Sequence, residues 1–200
     1  MKERGMIFNG DMVRAILDGR KTQTRRPIKW KQTRFTEIGE REDGSKWPWS
    51  EDAEHACDFW HPCPFGAVGD RIWVRETWAE AGASAPDLKL YRANYPEHVP
   101  SIYENVPPAE EIRWTPSIHM PRTASRILLE ITGVRVERLQ SITLGDICKE
   151  VGCGLYDFRP ATHGFQVWEE LWKSIYGAES WNANPWVWVI EFERVEGGAA

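Results

Sequence analysis

Two segments in the second half of the chain constrain the fold most. In residues 125–137, apolar and polar side chains alternate on either side of Gly133, which predicts a β-strand bent or bulged at that glycine. Residues 186–192 are almost wholly apolar and predict a buried strand. Further strands are predicted over residues 21–28, 71–78 and 90–93. Strands therefore dominate the predicted core.

Helices are predicted at three places. Met12 and Ile16 share one helical face within residues 9–17. Thr143 and Asp146 form a capping-box pattern that begins a helix over residues 143–152. A third apolar stripe covers residues 165–175. Because no strand–helix–strand rhythm repeats, we predict an α+β or small-barrel fold and not a Rossmann fold.

The chain of 200 residues fits one domain with insertions. Residues 30–62 are polar, acidic and aperiodic, and residues 80–116 contain six prolines. We predict that both segments are loop-rich insertions in a single domain over residues 1–200.

Composition limits the functional classes. With 25 basic and 30 acidic residues the net charge is −5, which excludes a uniformly basic nucleic-acid coat protein. No apolar run is long enough for a membrane helix, and no signal peptide is visible, so we expect a cytoplasmic protein without a membrane partner. In that compartment the four cysteines are expected to be reduced, with no disulfide-linked partner.

Positive charge is concentrated near the start of the chain. Residues 20–34 hold seven lysines and arginines and no acidic residue. This pattern is typical of a localised anion site such as a phosphate groove, although a solvated charged edge would give the same pattern. Of the twelve tryptophans, Trp73, Trp78, Trp186 and Trp188 are expected in the core, while others are candidates for stacking on a base.

One cluster has the residue types of a zinc site. His55, Cys57, His61 and Cys63 lie within nine residues. Their spacing is not that of a paired-cysteine zinc motif, so ordinary reduced cysteines in a loop are the preferred interpretation.

The segment around Lys21 and Thr24 is the strongest candidate for chemistry. A threonine hydroxyl is a weak nucleophile unless a base takes its proton. Lys21 can do so only if burial or neighbouring cations lower its pKa. The neighbouring cations are Arg20, Arg25 and Arg26. A carboxylate from elsewhere in the fold would then orient the lysine.

Gly19, Lys21 and Arg26 fit the pattern GxKxxxxR. This pattern resembles the signature of the ASCH domain, a small β-barrel related to the PUA RNA-binding fold. Residues 69–78 and 116–122, followed by the strand that leads to Leu139, resemble the version of this domain found in phage and prophage genomes. The resemblance covers most of the chain outside the two insertions and implies a PUA-like barrel with short flanking helices.

The resemblance implies binding of RNA or a modified nucleoside. One small bacterial member is similar to an amidohydrolase that removes the acetyl group of N4-acetylcytidine with a lysine, a threonine and a glutamate. Lys21, Thr24 and Glu150 match these residues. Thr24 would attack the acyl carbonyl, Lys21 would accept its proton, and Glu150 would hold Lys21 or protonate the leaving amine. No cofactor is implied.

The predicted substrate-binding residues are Arg20, Arg26, Arg75, Glu76 and Arg122, where the arginines are phosphate or carbonyl clamps. Two alternatives remain open. The first is a PUA-like RNA-binding module without chemistry. The second is a metal-assisted ribonuclease in which Asp70 and Glu76 surround a divalent ion.

Overall fold

A computed structural model describes residues 1–29, 36–52, 57–83, 85–154, 157 and 161–195. The strands are β1 (Glu3–Ile7), β2 (Gln23–Pro27), β3 (Thr36–Glu40), β4 (Lys46–Asp52), β5 (Cys57–Trp60), β6 (Arg71–Arg75), β7 (Trp78–Glu80), β8 (Lys89–Tyr91), β9 (Leu128–Arg138) and β10 (Trp186–Arg194). The helices are α1 (Gly10–Leu17), α2 (Leu144–Val151), α3 (Ala161–Tyr176) and α4 (Ala178–Asn182).

Five strands form the main sheet, in the order β1-β6-β9-β10-β2. β1 pairs parallel with β6, and the other neighbours pair antiparallel. The register between β9 and β10 shifts where Gly133 lies opposite Glu191 and Ile131 lies opposite Phe192. The predicted bulge next to Gly133 is therefore confirmed.

The two faces of the main sheet bury separate cores. Trp188 and Ile190 of β10 belong to a core that α1 covers. Val187 and Val189 belong to a second core, which contains Trp168 of α3 and residues of α2. Because successive strand residues point to opposite faces, β10 is buried on both sides. This explains why its sequence is a nearly continuous apolar run.

The edges of this sheet are β1 and β2, and no backbone ladder joins them within the described residues. One side chain spans the gap: Arg26 on β2 donates from Nη2 to the carbonyl oxygen of Ile7 on β1, at 2.9 Å. The α+β prediction is confirmed, whereas a closed barrel is not observed in the described part of the chain.

The first insertion differs from the prediction of a long loop. Its described residues form a three-stranded antiparallel sheet, β3-β4-β5. Trp47 of this sheet packs edge-to-face on Trp188 of the main sheet, with ring centroids 5.0 Å apart. Aromatic contacts of this kind bury apolar area and hold the described strands of the insertion against the main sheet. In the described part of the second insertion, β8 and short 3₁₀ turns are the regular elements.

The predicted strand over residues 71–78 is divided into β6 and β7 at Glu76 and Thr77. The helices α1, α2 and α3 occupy the predicted places. Thr143 caps α2 by accepting a hydrogen bond from the Asp146 N–H at 3.1 Å, as the capping pattern predicts. None of the described helices has the length and apolar character that a membrane span requires.

Candidate functional site

Lys21 and Glu150, which are 129 residues apart in sequence, meet inside the protein. Lys21 precedes β2 and is 2% exposed, while Glu150 lies on α2 and is also 2% exposed. The Lys21 Nζ lies 3.4 Å from Glu150 Oε1 and also donates to the Glu150 carbonyl oxygen. The structure thus brings together two of the three residues that the resemblance implies as catalytic.

The same pair covers the free edge of β2. Lys21 Nζ donates to the Gln23 carbonyl oxygen at 2.7 Å, and Glu150 Oε1 accepts the Arg25 N–H at 3.0 Å. In an edge strand these backbone groups have no neighbouring strand and must find other partners. Lys21 and Glu150 therefore take the place of a sixth strand at this edge.

Arg25 links the pair to a larger buried network. Its Nη1 lies 3.6 Å from Glu150 Oε2, and its Nη2 lies 3.0 Å from Glu137 Oε2. Glu137 in turn accepts from Arg135 Nε at 2.6 Å. Asp146 lies 3.7 Å from Arg25 and 3.6 Å from Arg135. Alternating charges thus extend from the interior beside Lys21 to Glu137, which is partly exposed.

Burial lowers the pKa of Lys21 from 10.5 to about 8. Desolvation is the largest cause, since a charged ammonium is unfavourable away from water. The Glu150 carboxylate opposes this effect, while the nearby Arg26 and Arg25 guanidinium groups add to it. A fraction of Lys21 is therefore neutral at physiological pH, as a general base requires.

Thr24 lies on the other face of β2. It is opposite Ile190 in the ladder, whereas Arg25 is opposite Val189. Directly opposite residues share a face, so Thr24 points to the core beneath α1 and Arg25 points to α2 and α3. The Thr24 hydroxyl is buried and has no hydrogen-bond partner among the described residues. The structure does not bring Thr24 to the Lys21–Glu150 pair.

A large concave site lies between the inserted sheet and the main sheet. This groove has a volume of about 1930 Å³. Its basic lining residues are Lys2, Arg4, Arg26, Lys29, Arg41, Lys46 and Arg135. Its acidic lining residues are Asp43, Asp70 and Glu137. Seven basic against three acidic residues give the groove a positive lining in a protein whose net charge is −5.

Aromatic rings line the same groove. Trp47, Phe59 and Trp60 come from the inserted sheet, and Trp188 comes from β10. Glu137 joins the groove to the buried network described above. Positive charge with flat apolar surfaces is the combination that binds single strands of nucleic acid and nucleotides.

The predicted substrate-binding residues are dispersed. Arg26 lines the groove. Arg20 donates to the Gly152 carbonyl oxygen and pairs with Asp18. Arg75 donates to the Ile118 carbonyl oxygen, and Arg122 pairs with Glu3 at 2.8 Å. Among these four arginines, Arg26 is thus the one that the structure places at the groove.

Glu76 lies in a different place. It is 2% exposed, and its two carboxylate oxygens accept from Arg126 at 2.9 and 3.0 Å. It lines a small pocket of about 280 Å³ beside α1. Asp70 and Glu76 flank opposite ends of β6, about 20 Å apart at the usual rise per strand residue. They therefore cannot share one metal ion as the ribonuclease alternative supposed.

The candidate zinc cluster is described only in part, because His55 lies outside the described residues. His61 Nε2 lies 2.9 Å from Ser50 Oγ, and Cys57 is exposed. Cys63 is buried, and burial raises the pKa of its thiol to about 11. Within the described ranges, no three histidine, cysteine or acidic residues are grouped as metal ligands. All four cysteines of the chain are free thiols.

Most of the groove lining is not predicted from the sequence. Lys31 and Arg34 of the predicted basic segment lie outside the described residues. The groove cations Arg41 and Lys46 lie in the insertion for which the sequence predicts loops. The closely spaced Trp47 and Trp49 were the available signal, because a polar loop has little reason to carry two large indoles.

The structure thus defines a mixed α+β protein with an inserted sheet that forms one wall of a basic, aromatic groove. Searches of family models, curated proteins and solved structures match nothing to this chain.

Proposed function

We propose that this protein binds RNA or a modified nucleoside in the groove. The observation that carries the proposal is the excess of basic over acidic lining residues beside the indoles of Trp47 and Trp60. Phosphate groups supply the complementary negative charge, and bases supply flat surfaces that stack on indoles. The groove is large enough for several nucleotides, since ordinary small-molecule pockets measure about 300–1,000 Å³.

We further propose that the chain is an ASCH-type protein whose main sheet corresponds to a PUA-like barrel. Two signature residues support this: Gly19 has a positive φ of 71° at the end of α1, and Arg26 lines the groove. The Arg26 contact with Ile7 gives further support, since it connects the two sheet edges that a barrel would join.

Charge reversal of Lys2 and Lys29 tests nucleic-acid binding. Both residues line the groove and are exposed, so Lys2→Glu with Lys29→Glu is expected to weaken RNA binding about tenfold or more. The plot of log affinity against log salt concentration is expected to become shallower by about 1.4, because two phosphate contacts are lost on a single strand. Fluorescence anisotropy with a labelled RNA oligonucleotide at several salt concentrations measures both effects.

The matched control is Lys89→Glu with Arg113→Glu, which changes the net charge equally and leaves the groove lining intact. Equal weakening by the two double variants would show that total charge, and not the groove, determines binding. Affinity that is independent of salt concentration would contradict the proposal directly.

An amidohydrolase acting on N4-acetylcytidine is the second candidate function. The observation in its favour is the lowered pKa of Lys21 beside the Glu150 carboxylate. In this reaction the Thr24 hydroxyl attacks the acyl carbonyl while Lys21 takes its proton. Because Thr24 points away from Lys21, the reaction requires β2 to change conformation when substrate binds.

Turnover of N4-acetylcytidine to cytidine tests this candidate. The rate is expected to rise with pH and to level off above pH 8, because the neutral amine of Lys21 is the active base and its pKa is about 8. Thr24→Ala should abolish turnover, and the exposed neighbour Thr22→Ala should retain it. Full turnover by the Thr24 variant would exclude Thr24 as the nucleophile.

A further inference from the structure

One face of the inserted sheet is built from tryptophans. Trp47 lies opposite Gly39 in the ladder, and Trp49 lies opposite Trp60. Residues directly opposite each other, and residues two apart on a strand, share a face. The three indoles therefore lie on one face of the sheet, and Trp47 contacts Trp188 of the main sheet. Of these three indoles, those of Trp47 and Trp60 line the groove.

Gly39 lets Trp60 lie close against the sheet. A Cβ at Gly39 would stand 3.0 Å from two atoms of the six-membered ring of Trp60 and 3.2 Å from the Trp49 Cβ. Most carbon contacts of this type are longer, so any larger residue would push the ring away from the sheet. One side of the Trp60 ring thus packs against Gly39 of the sheet. The side chain is half-buried, and its remaining surface is available to a ligand.

Arg41 occupies the space next to these rings. Its guanidinium carbon lies 4.1 Å from the ring centroid of Trp47 and 5.3 Å from that of Trp60. Arg41 begins a tight turn, in which its N–H donates to the Ser45 carbonyl oxygen at 2.9 Å. A flat cation stacked on indoles at a turn marks a place where another flat group fits.

A nucleobase is the flat group that matches this place. Every type of base can stack on tryptophan, so stacking does not depend on the nucleotide sequence. The phosphates of the same strand need cations nearby. Lys2 and Lys29 line the same groove, are exposed and provide them. In a duplex both faces of each base are covered by neighbouring base pairs, so only an unpaired base can reach Trp60.

We propose that Trp47 and Trp60 form a stacking site for an unpaired base of single-stranded nucleic acid. In the free protein the Arg41 guanidinium occupies this site, and on binding it moves aside to contact a phosphate of the ligand. The inference rests on the proposed function. It adds that the ligand is single-stranded and that Trp60 distinguishes single strands from duplexes.

Anisotropy titrations with a labelled 12-nucleotide RNA, the DNA of the same sequence, and the RNA duplex test the proposal. The wild-type protein is expected to bind the single strands at least tenfold more tightly than the duplex. Trp60→Ala should weaken binding of the single strands about tenfold and leave duplex binding unchanged. Trp60→Phe should retain most of the affinity, since it keeps an aromatic face.

Trp114→Ala is the matched control, because Trp114 is half-buried like Trp60 and lies outside the groove lining. Its affinity for every oligonucleotide should equal that of the wild type. Equal binding of duplex and single strand, or unchanged single-strand binding by Trp60→Ala, would overturn the stacking site while leaving nucleic-acid binding intact. Absence of binding to all three oligonucleotides would overturn the proposed function as well.

Discussion

Glu150→Ala is expected to lower the free energy of unfolding by about 3–5 kcal/mol, which is the usual effect of removing one partner from a buried ion pair. The variant leaves the Lys21 ammonium buried with backbone carbonyl partners alone. It also removes the acceptor of the Arg25 N–H at the edge of β2. Urea denaturation at pH 7, followed by tryptophan fluorescence, measures the change through the midpoint and slope.

Two further variants distinguish the loss of the ion pair from the general effect of replacing a glutamate on a helix. Glu170→Ala removes an exposed glutamate of α3 and should change stability by less than about 0.5 kcal/mol. The double variant Lys21→Met with Glu150→Leu should recover part of the lost stability, because it leaves no Lys21 charge uncompensated. The Gln23 carbonyl and the Arg25 N–H still lack their partners in this variant, so recovery is incomplete. If Glu150→Ala unfolds at the same urea concentration as the wild type, the pair is not a stabilising contact.

Gly152→Ala is expected to destabilise the protein by about 2–5 kcal/mol. Gly152 ends α2 with a φ of 80°, where a side chain costs about 1–2 kcal/mol. The added Cβ would also stand 2.6 Å from the Ala15 Cβ of α1, and overpacking of this kind costs about 1–3 kcal/mol. The helix that carries Glu150 would then be displaced from α1.

Gly19→Ala is the matched control for this prediction. Gly19 has a similar φ of 71°, but a Cβ there meets nothing within 4 Å. Its loss of stability should therefore stay near the 1–2 kcal/mol of the backbone conformation alone. Equal losses for the two variants, measured by urea denaturation, would show that α1 and α2 do not pack tightly at Gly152.

Local signals explain which elements could be predicted from the sequence. The bulge beside Gly133 and the cap at Thr143 depend on residues within a few positions of each other. The inserted sheet depends instead on the contact of Trp47 with Trp188, far apart in the chain. Trp47 and Trp49 are the local signal of those strands, and alternation of polar and apolar residues is weak in the rest of the insertion.

In the candidate site, too, some residues could be predicted from the sequence and others could not. The resemblance predicts Lys21 and Glu150 as partners, and the structure brings them together. The orientation of Thr24 depends on the register between β2 and β10, and a change of one residue would turn it to the other face. Nothing in the spacing of Lys21 and Thr24 specifies that register. Arg25 joins the pair to Glu137, whereas its place in the sequence indicates only a cation near Lys21.

The order of strands in the main sheet also determines when this protein can fold during synthesis. β2 ends at Pro27, yet its neighbour in the sheet, β10, begins only at Trp186. The carboxylate that covers its other edge follows Lys21 by 129 residues. Both sides of β2 thus stay unpaired until α2 and β10 have emerged from the ribosome. Nascent chains are consequently exposed to strand exchange with one another during that interval.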